Sequence, residues 1–201
     1  MKDNRRTQAA RSAATREALV TAARSLFAAH GYGDVGTETI VQTAGVTRGA
    51  LYHHFANKNE LFAAVFEAVE LEVIERIGAA VAGAGRLDPI AAMRLAASIW
   101  LDACVEPEIQ RIALLDAPAV LSWTRWRGIS ERHGMGMVRG LFAHAIETGR
   151  ISRQPIAPLA HVMLGALREG TLYMAGADDR AQARQEVGEV IDRLIQSLGT
   201  R

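Results

Sequence analysis

Apolar residues recur at steps of three and four through most of the chain. No stretch alternates apolar and polar residues as a half-buried strand would. The first helical signal runs from about Ser12 to His30, where Leu19, Ala22, Ala23, Leu26 and Phe27 share one face. Gly31 suits the terminating position just past its end. After the loop Gly31-Tyr32-Gly33, Thr37 is placed to cap a short second helix carrying Ile40 and Val41, which ends at Ala44-Gly45. Val46 leads to Thr47, a second capping residue, and to a third short helix with Leu51, Tyr52 and Phe55. Asn57-Lys58-Asn59 separates it from a long fourth helix over about 59–82, whose stripe is Leu61, Phe62, Val65, Phe66, Val69, Val73 and Ile77. Gly83-Ala84-Gly85 is the clearest break. Beyond it the pattern predicts helices over about 88–104, 106–116, 118–148, 157–175 and 179–198. Pro107 and Pro118 suit first-turn positions, and Gly149 and Gly176 suit terminators. Glycines 128, 134, 136 and 140 are expected to weaken or kink their helix, each by about 1 kcal/mol against alanine. The expected fold is all-α with about nine helices, and neither an internal repeat nor a low-complexity segment is evident.

Composition narrows the class. The 201 residues are 49% hydrophobic and 22% charged, the balance of a globule with a core and not of a disordered tail. Without a run of 18 apolar residues no membrane span is expected, and the polar, basic start is not a secretory signal. A single cysteine, Cys104, cannot close an internal disulfide, which points to the reducing cytoplasm. Charge is unevenly spread. Residues 1–58 hold eight Lys/Arg against four Asp/Glu, a balance of +4, while residues 59–201 hold fifteen against eighteen, a balance of −3. A basic end on an acidic remainder fits a polyanionic partner at that end, and a solvated charged arm is the plainer alternative.

Two short helices joined at Ala44-Gly45-Val46 and packed on a longer first helix make a helix-turn-helix arrangement. Such a unit needs a small residue where the helices nearly touch, a glycine in the turn and an apolar plug, and these three residues supply them in order. The second short helix must then present a small and polar face to a major groove about 12 Å wide, as Thr47, Arg48, Gly49 and Ala50 do. Tyr52, His53 and Lys58 add donors for phosphates.

From Thr15 to Phe66 the chain resembles the DNA-binding domain of the TetR family of transcriptional regulators. The resemblance rests on Phe27-Ala28-Ala29-His30-Gly31-Tyr32, on Thr37-Glu38-Thr39-Ile40-Val41, on the run from Ala44 to Phe55, and on Lys58 with Glu60-Leu61-Phe62. It implies nine helices, a homodimer on double-stranded operator DNA, and a small-molecule pocket in the C-terminal part. It implies a base contact for Arg48, where an arginine can bind O6 and N7 of guanine bidentately. Thr37, Thr47, Tyr52, His53 and Lys58 match positions that usually hold the phosphate backbone. Glu38 stands where the family often has a basic residue, so a contact there requires a cytosine amino group to donate. The implied organisation is a DNA-binding domain over 1–58 including an N-terminal arm, a connecting helix over 59–82, and a ligand-binding and dimerisation domain over 83–201. The arm's Arg5, Arg6 and Arg11 are candidates for a minor-groove or phosphate contact.

Elsewhere the signals are weaker. The six histidines show no His-Glu-x-x-His spacing and no second cysteine completes a thiolate site, so no metal and no cofactor are expected. Cys104 reads as a small buried hydrophobe. Gly134-Met135-Gly136 with Gly140 has neither the preceding strand nor the spacing of a nucleotide loop, and no nucleophile stands with a readable base, so catalysis is not expected. Trp100, Trp123, Trp126, Met137 and Tyr173 are candidates to line a largely apolar or aromatic ligand's pocket, with Arg127, His133 and Arg168 as polar anchors. Plain core packing is the alternative for each. Leu159, Val162, Met163, Ala166, Leu167 and Gly170 form one stripe, and Val187, Val190, Ile191, Leu194 and Leu198 another. Both fit a two-fold four-helix bundle or burial within one chain. The expected function is a ligand-responsive repressor. A DNA-binding regulator without effector, or a helical-bundle enzyme, are the alternatives.

Overall fold

The structure is a computed structural model that describes residues 2–200, with side chains described from residue 8 onward. Arg5 and Arg6 of the arm therefore lie outside the described side chains. Among the described residues the chain forms nine helices, with one isolated bridge between Ile151 and Gly199. They are α1 (Lys2–His30), α2 (Thr37–Thr43), α3 (Arg48–His54), α4 (Lys58–Gly83), α5 (Pro89–Ala103), α6, α7 (Trp123–Glu147), α8 (Ile156–Gly176) and α9 (Arg180–Ser197). Helix α6 is continuous but composite: Pro107–Ile109 and Ala117–Val120 are α-helical and Gln110–Asp116 is π-helical.

Several boundaries differ from the pattern-based ones, each for a local reason. Helix α1 starts at Lys2 and not at Ser12, because no glycine or proline stands before Gly31 to stop it. Thr37 is the first residue of α2. The extended Gly36 occupies the cap and offers no side chain to the free N–H groups. Pro118 stands in the first turn of the α-helical segment Ala117–Val120, as expected, although that segment continues the π-helical turns before it. The proline lacks the N–H that an α-turn would use. The stretch expected as one helix over 118–148 is broken at Leu121, which is extended (φ −85°, ψ 146°), and Ser122 Oγ then accepts from the Arg125 N–H at 3.3 Å to cap α7. Helix α7 runs unbroken through its four glycines, held by buried Ile129, Met135, Phe142 and Ala145.

The described chain forms two compact units. The first joins the residues up to 69 with 111–126, and the second joins 70–110 with the residues from 127 on. In the first, the expected stripe of α1 and the first half of that of α4 meet. Leu19, Ala23, Phe27, Leu61, Phe62, Val65 and Phe66 are fully buried or nearly so. The rings of Phe27, Tyr32 and Phe62 form a mutual cluster with centroids 5.1–5.6 Å apart. Residues 111–126 clasp this unit at four points. Asp116 Oδ2 accepts from the Tyr32 N–H at 2.8 Å, the Val120 carbonyl accepts from Asn59 Nδ2 at 2.9 Å, Arg125 forms a two-pronged ion pair with Glu60, and the Arg111 guanidinium lies over Gly31.

In the second unit Met93, Leu101, Met135, Phe142, Leu167, Met174, Val187, Ile191 and Ile195 form the core. The two stripes near the C-terminus divide. Leu167, Val187 and Ile191 turn into this core, while Val162, Val190 and Leu194 stay exposed at 70%, 48% and 43%. Arg184 reaches from α9 to Ser98 and Asp102 on α5, and Arg94 pairs with Asp192 in the same seam.

Candidate nucleic-acid interface

The turn before α3 is set by its own backbone. The Val46 N–H donates to the Val41 carbonyl at 3.0 Å and the Gly45 N–H to Gln42 at 3.1 Å, the paired bonds of a Schellman stop. This places Gly45 at φ 65°, where a Cβ would be strained. Thr47 Oγ1 then accepts from the Ala50 N–H at 3.2 Å, capping α3 as its sequence predicts. Leu51 is fully buried and anchors the helix, so the opposite side faces out with Arg48, Gly49, Tyr52 and His53, while Ala50 is half-buried.

The sequence-chosen residues converge here. The Arg48 guanidinium carbon lies 5.6 Å from the Tyr52 ring centroid. Hydrogen bonds with Arg48 and Thr37 hold the Tyr52 hydroxyl below the usual phenol range, and the nearby charge of Glu38 opposes them. Thr37 and Glu38 from α2 thus meet Arg48 and Tyr52 from α3 in one polar patch, with Arg48 exposed and oriented by a ring. His53 is exposed, its ring 5.2 Å from that of His54. Lys58 is also engaged within its own unit. Its Nζ donates to the Tyr32 carbonyl at 2.6 Å and lies 4.1 Å from the Tyr32 ring centroid, and partial burial lowers its pKa. The α1–α2 loop is therefore held on both sides of one residue, by Asp116 at its N–H and Lys58 at its carbonyl.

The eight candidate ligand residues divide between the two units. Trp123 and Trp126 belong to the first unit, with rings 5.2 Å apart, Trp123 62% exposed and Trp126 buried. Tyr173 is 60% exposed on α8. Trp100, Arg127, His133, Met137 and Arg168 lie in the second unit. Trp100 Nε1 is buried there with no hydrogen-bond partner among the described residues. Arg127 bonds Glu131 at 2.7 Å and His161 Nδ1 at 3.2 Å. An open groove of about 310 Å³ between α5 and α9 is lined by Arg94, Ser98, Arg184 and Asp192 among others, and by none of the eight. Cys104 is buried, and burial raises its thiol pKa far above the usual range, as expected of an inert packing residue.

Glu70 is concealed in the sequence by the apolar stripe around it. It is 6% exposed on α4 and faces Arg168, His133 and Ser130, and burial raises its pKa from 4.5 to about 7. The signal was present, since position 70 lies four residues after Phe66 and three before Val73, inside the apolar stripe.

The family model for tetR-type bacterial regulatory proteins matches residues 19–65, and that for the tetracyclin repressor-like C-terminal domain matches residues 90–198. The second alone covers more than half of the chain. The chain belongs to the TetR family. A TetR-family transcriptional regulator from Pectobacterium atrosepticum superposes with a TM-score of 0.81 at 31% identity, over 96% of this chain and 97% of that one. The TetC protein of transposon Tn10 from Escherichia coli is 25% identical over 81% of both chains. RolR, solved in complex with resorcinol, shares the fold at 22% identity with a TM-score of 0.74, over 92% of this chain and 89% of that one.

As a TetR-family member the chain is a DNA-binding transcriptional regulator and not an enzyme. No helix among the described residues is long and apolar enough to cross a membrane. Arg48 and Tyr52 lie within residues 19–65, the stretch matched by the family's N-terminal model.

Proposed function

We propose that this TetR-family protein is a ligand-responsive repressor working on the chromosome in the cytoplasm. Two copies join through α8 and α9 and bind a near-palindromic operator with their α3 helices in successive major grooves, centred ~34–36 Å apart. The observation that carries the DNA-binding reading is Arg48, exposed at the first turn of a capped helix and stacked on Tyr52. Arg48 reads guanine. Thr37, Thr47, Tyr52 and His53 contact phosphates, Gly49 and Ala50 let α3 approach the bases, and Glu38 accepts from a cytosine amino group. Lys58 contributes to phosphate affinity while holding the α1–α2 loop.

Support for self-association comes from the exposed apolar side chains on the last two helices: Val162, Leu172 and Tyr173 on α8, Val190 and Leu194 on α9. The effector is a small, largely apolar or aromatic molecule bound in the second unit. RolR holds such a molecule, resorcinol, in the same fold. The ligand favours a dimer whose heads are spaced wrongly for the operator, with α4 as the lever, and shifts the equilibrium only by its differential affinity for the two states.

Footprinting on the region upstream of the protein's own gene tests this reading. A protected near-palindrome is expected. Arg48→Ala should weaken operator binding by about 1–3 kcal/mol and relax the base preference at one position per half-site. Uniform weakening on all DNA sequences would remove the base-reading role of Arg48.

A further inference from the structure

Within the first unit, two side chains of α6 reach the turn between α1 and α2. The Arg111 guanidinium lies over Gly31, 3.1 Å from the place a Cβ would take, and Asp116 Oδ2 accepts from the Tyr32 N–H at 2.8 Å. The contacts fall on consecutive residues of the turn and come from residues five apart in α6. In an α-helix, residues five apart point roughly 140° away from each other, and side chains meet at spacings of three or four. In a π-helix the hydrogen-bonded ring joins a residue to the fifth one on, so such a pair shares a face. The π-helical stretch Gln110–Asp116 holds both residues. Between them Ile112, Ala113 and Leu114 are buried. The wider turn therefore accounts for the double contact.

The turn gripped in this way is the entrance to α2 and α3. Gly31 has φ 79°, and Thr37 opens α2 five residues after Tyr32. Val35, Ile40, Val41 and Leu51 are buried, and the bond from the Val46 N–H to the Val41 carbonyl ties α2 to α3. The two short helices thus take their place from this turn together. Tyr32 has little slack. Its carbonyl accepts from Lys58 Nζ at 2.6 Å and its ring packs against Phe27 and Phe62, so Asp116 fixes the backbone group that remains. Reading a base edge requires side chains placed to within about 0.5 Å. Attraction to phosphates falls off slowly with distance and tolerates far more displacement. Loosening the turn should therefore harm operator recognition and spare non-specific binding, whereas a bond that only stabilised the fold would act on both alike.

We propose that the π-helical register of Gln110–Asp116 makes Arg111 and Asp116 positioning residues for operator recognition. Through Gly31 and Tyr32 they fix where α3 presents Arg48, although both lie outside residues 19–65. This inference rests on base reading by α3 and requires no effector.

Fluorescence anisotropy of the full-length protein tests it, on a duplex selected from a random pool by the wild-type chain and on a scrambled duplex of equal length. Asp116→Ala should weaken binding to the selected duplex by about tenfold or more, and leave the scrambled duplex within about twofold. Asp116→Asn keeps an amide oxygen that accepts from the Tyr32 N–H, so it should stay within about threefold of wild type on both. The double variant Leu115→Asp with Asp116→Ala moves the carboxylate four residues past Arg111, where an α-helix would align the two. Leu115 is 47% exposed and accommodates the change, and binding to the selected duplex should stay lost. Hydrogen exchange needs no variant: the Tyr32 amide of the wild-type chain should exchange slowly. Unchanged binding by Asp116→Ala, equal weakening on both duplexes, failure of Asp116→Asn, rescue by the shifted carboxylate, or a fast-exchanging Tyr32 amide overturns the proposal and leaves base reading by α3 in place. Selection of no sequence by the wild-type chain would remove both.

Discussion

Two residues carry consequences that their positions in the chain do not announce. Lys58 is held by the Tyr32 carbonyl and ring, so Lys58→Ala should lower the melting temperature of the protein as well as its DNA affinity. A pure phosphate contact would change only affinity and its salt dependence. Thermal melts beside salt-series binding separate the two. Glu70 should make stability fall with rising pH. The unfolded carboxyl gives up its proton near 4.5 and the folded one near 7, so between these values folding takes up a proton. The stabilisation from the protonated form is complete below pH 4.5 and lost above 7, a change of about 3 kcal/mol. Urea denaturation at pH 5 and pH 8 should show this slope, and Glu70→Gln should flatten it. An equal slope in the variant would mean that other groups are responsible.

At the scale of elements, close approach matters more than pattern. A Cβ on Gly170 of α8 would fall 2.7 Å from Val187 Cγ1 of α9, so the two helices pack at a distance only glycine permits. Gly170→Ala should cost about 1–3 kcal/mol through overpacking, despite alanine's better helix propensity. Chemical denaturation measures it, and a gain in stability would show that Val187 can turn aside. The sequence marks Gly170 only as a member of an apolar stripe, because the partner that makes its missing side chain necessary lies seventeen residues on. The break at Leu121 was legible only in part. Ser122 is a usable cap, but the extended backbone at Leu121, a buried residue, depends on its packing.

For the molecule as a whole, the surface left by α8 and α9 separates two kinds of leucine. Leu194 is exposed at 43% and Leu167 is buried at 7%. Leu194→Glu should yield a folded monomer that has lost tight operator binding, whereas Leu167→Glu should unfold the chain by burying an unpaired charge. Sedimentation and circular dichroism distinguish these outcomes. A dimeric Leu194→Glu protein would move the association surface elsewhere.

What the sequence alone determined is local. Helical periodicity, capping Thr47, the glycine stops at 31, 45 and 149, and the head's motif all act within a few residues. Backbone hydrogen bonds and φ preferences are satisfied or violated over that same range. Only the tertiary structure decided which apolar stripe faces inward and which segments pack together. It is the fold that brings 111–126 onto the residues up to 69, divides the tryptophans between two units, and turns Lys58 to Tyr32. It also sets Glu70 against Arg168, which is 98 positions away. Desolvation and charge pairing depend on distances through space, and no spacing along the chain encodes them.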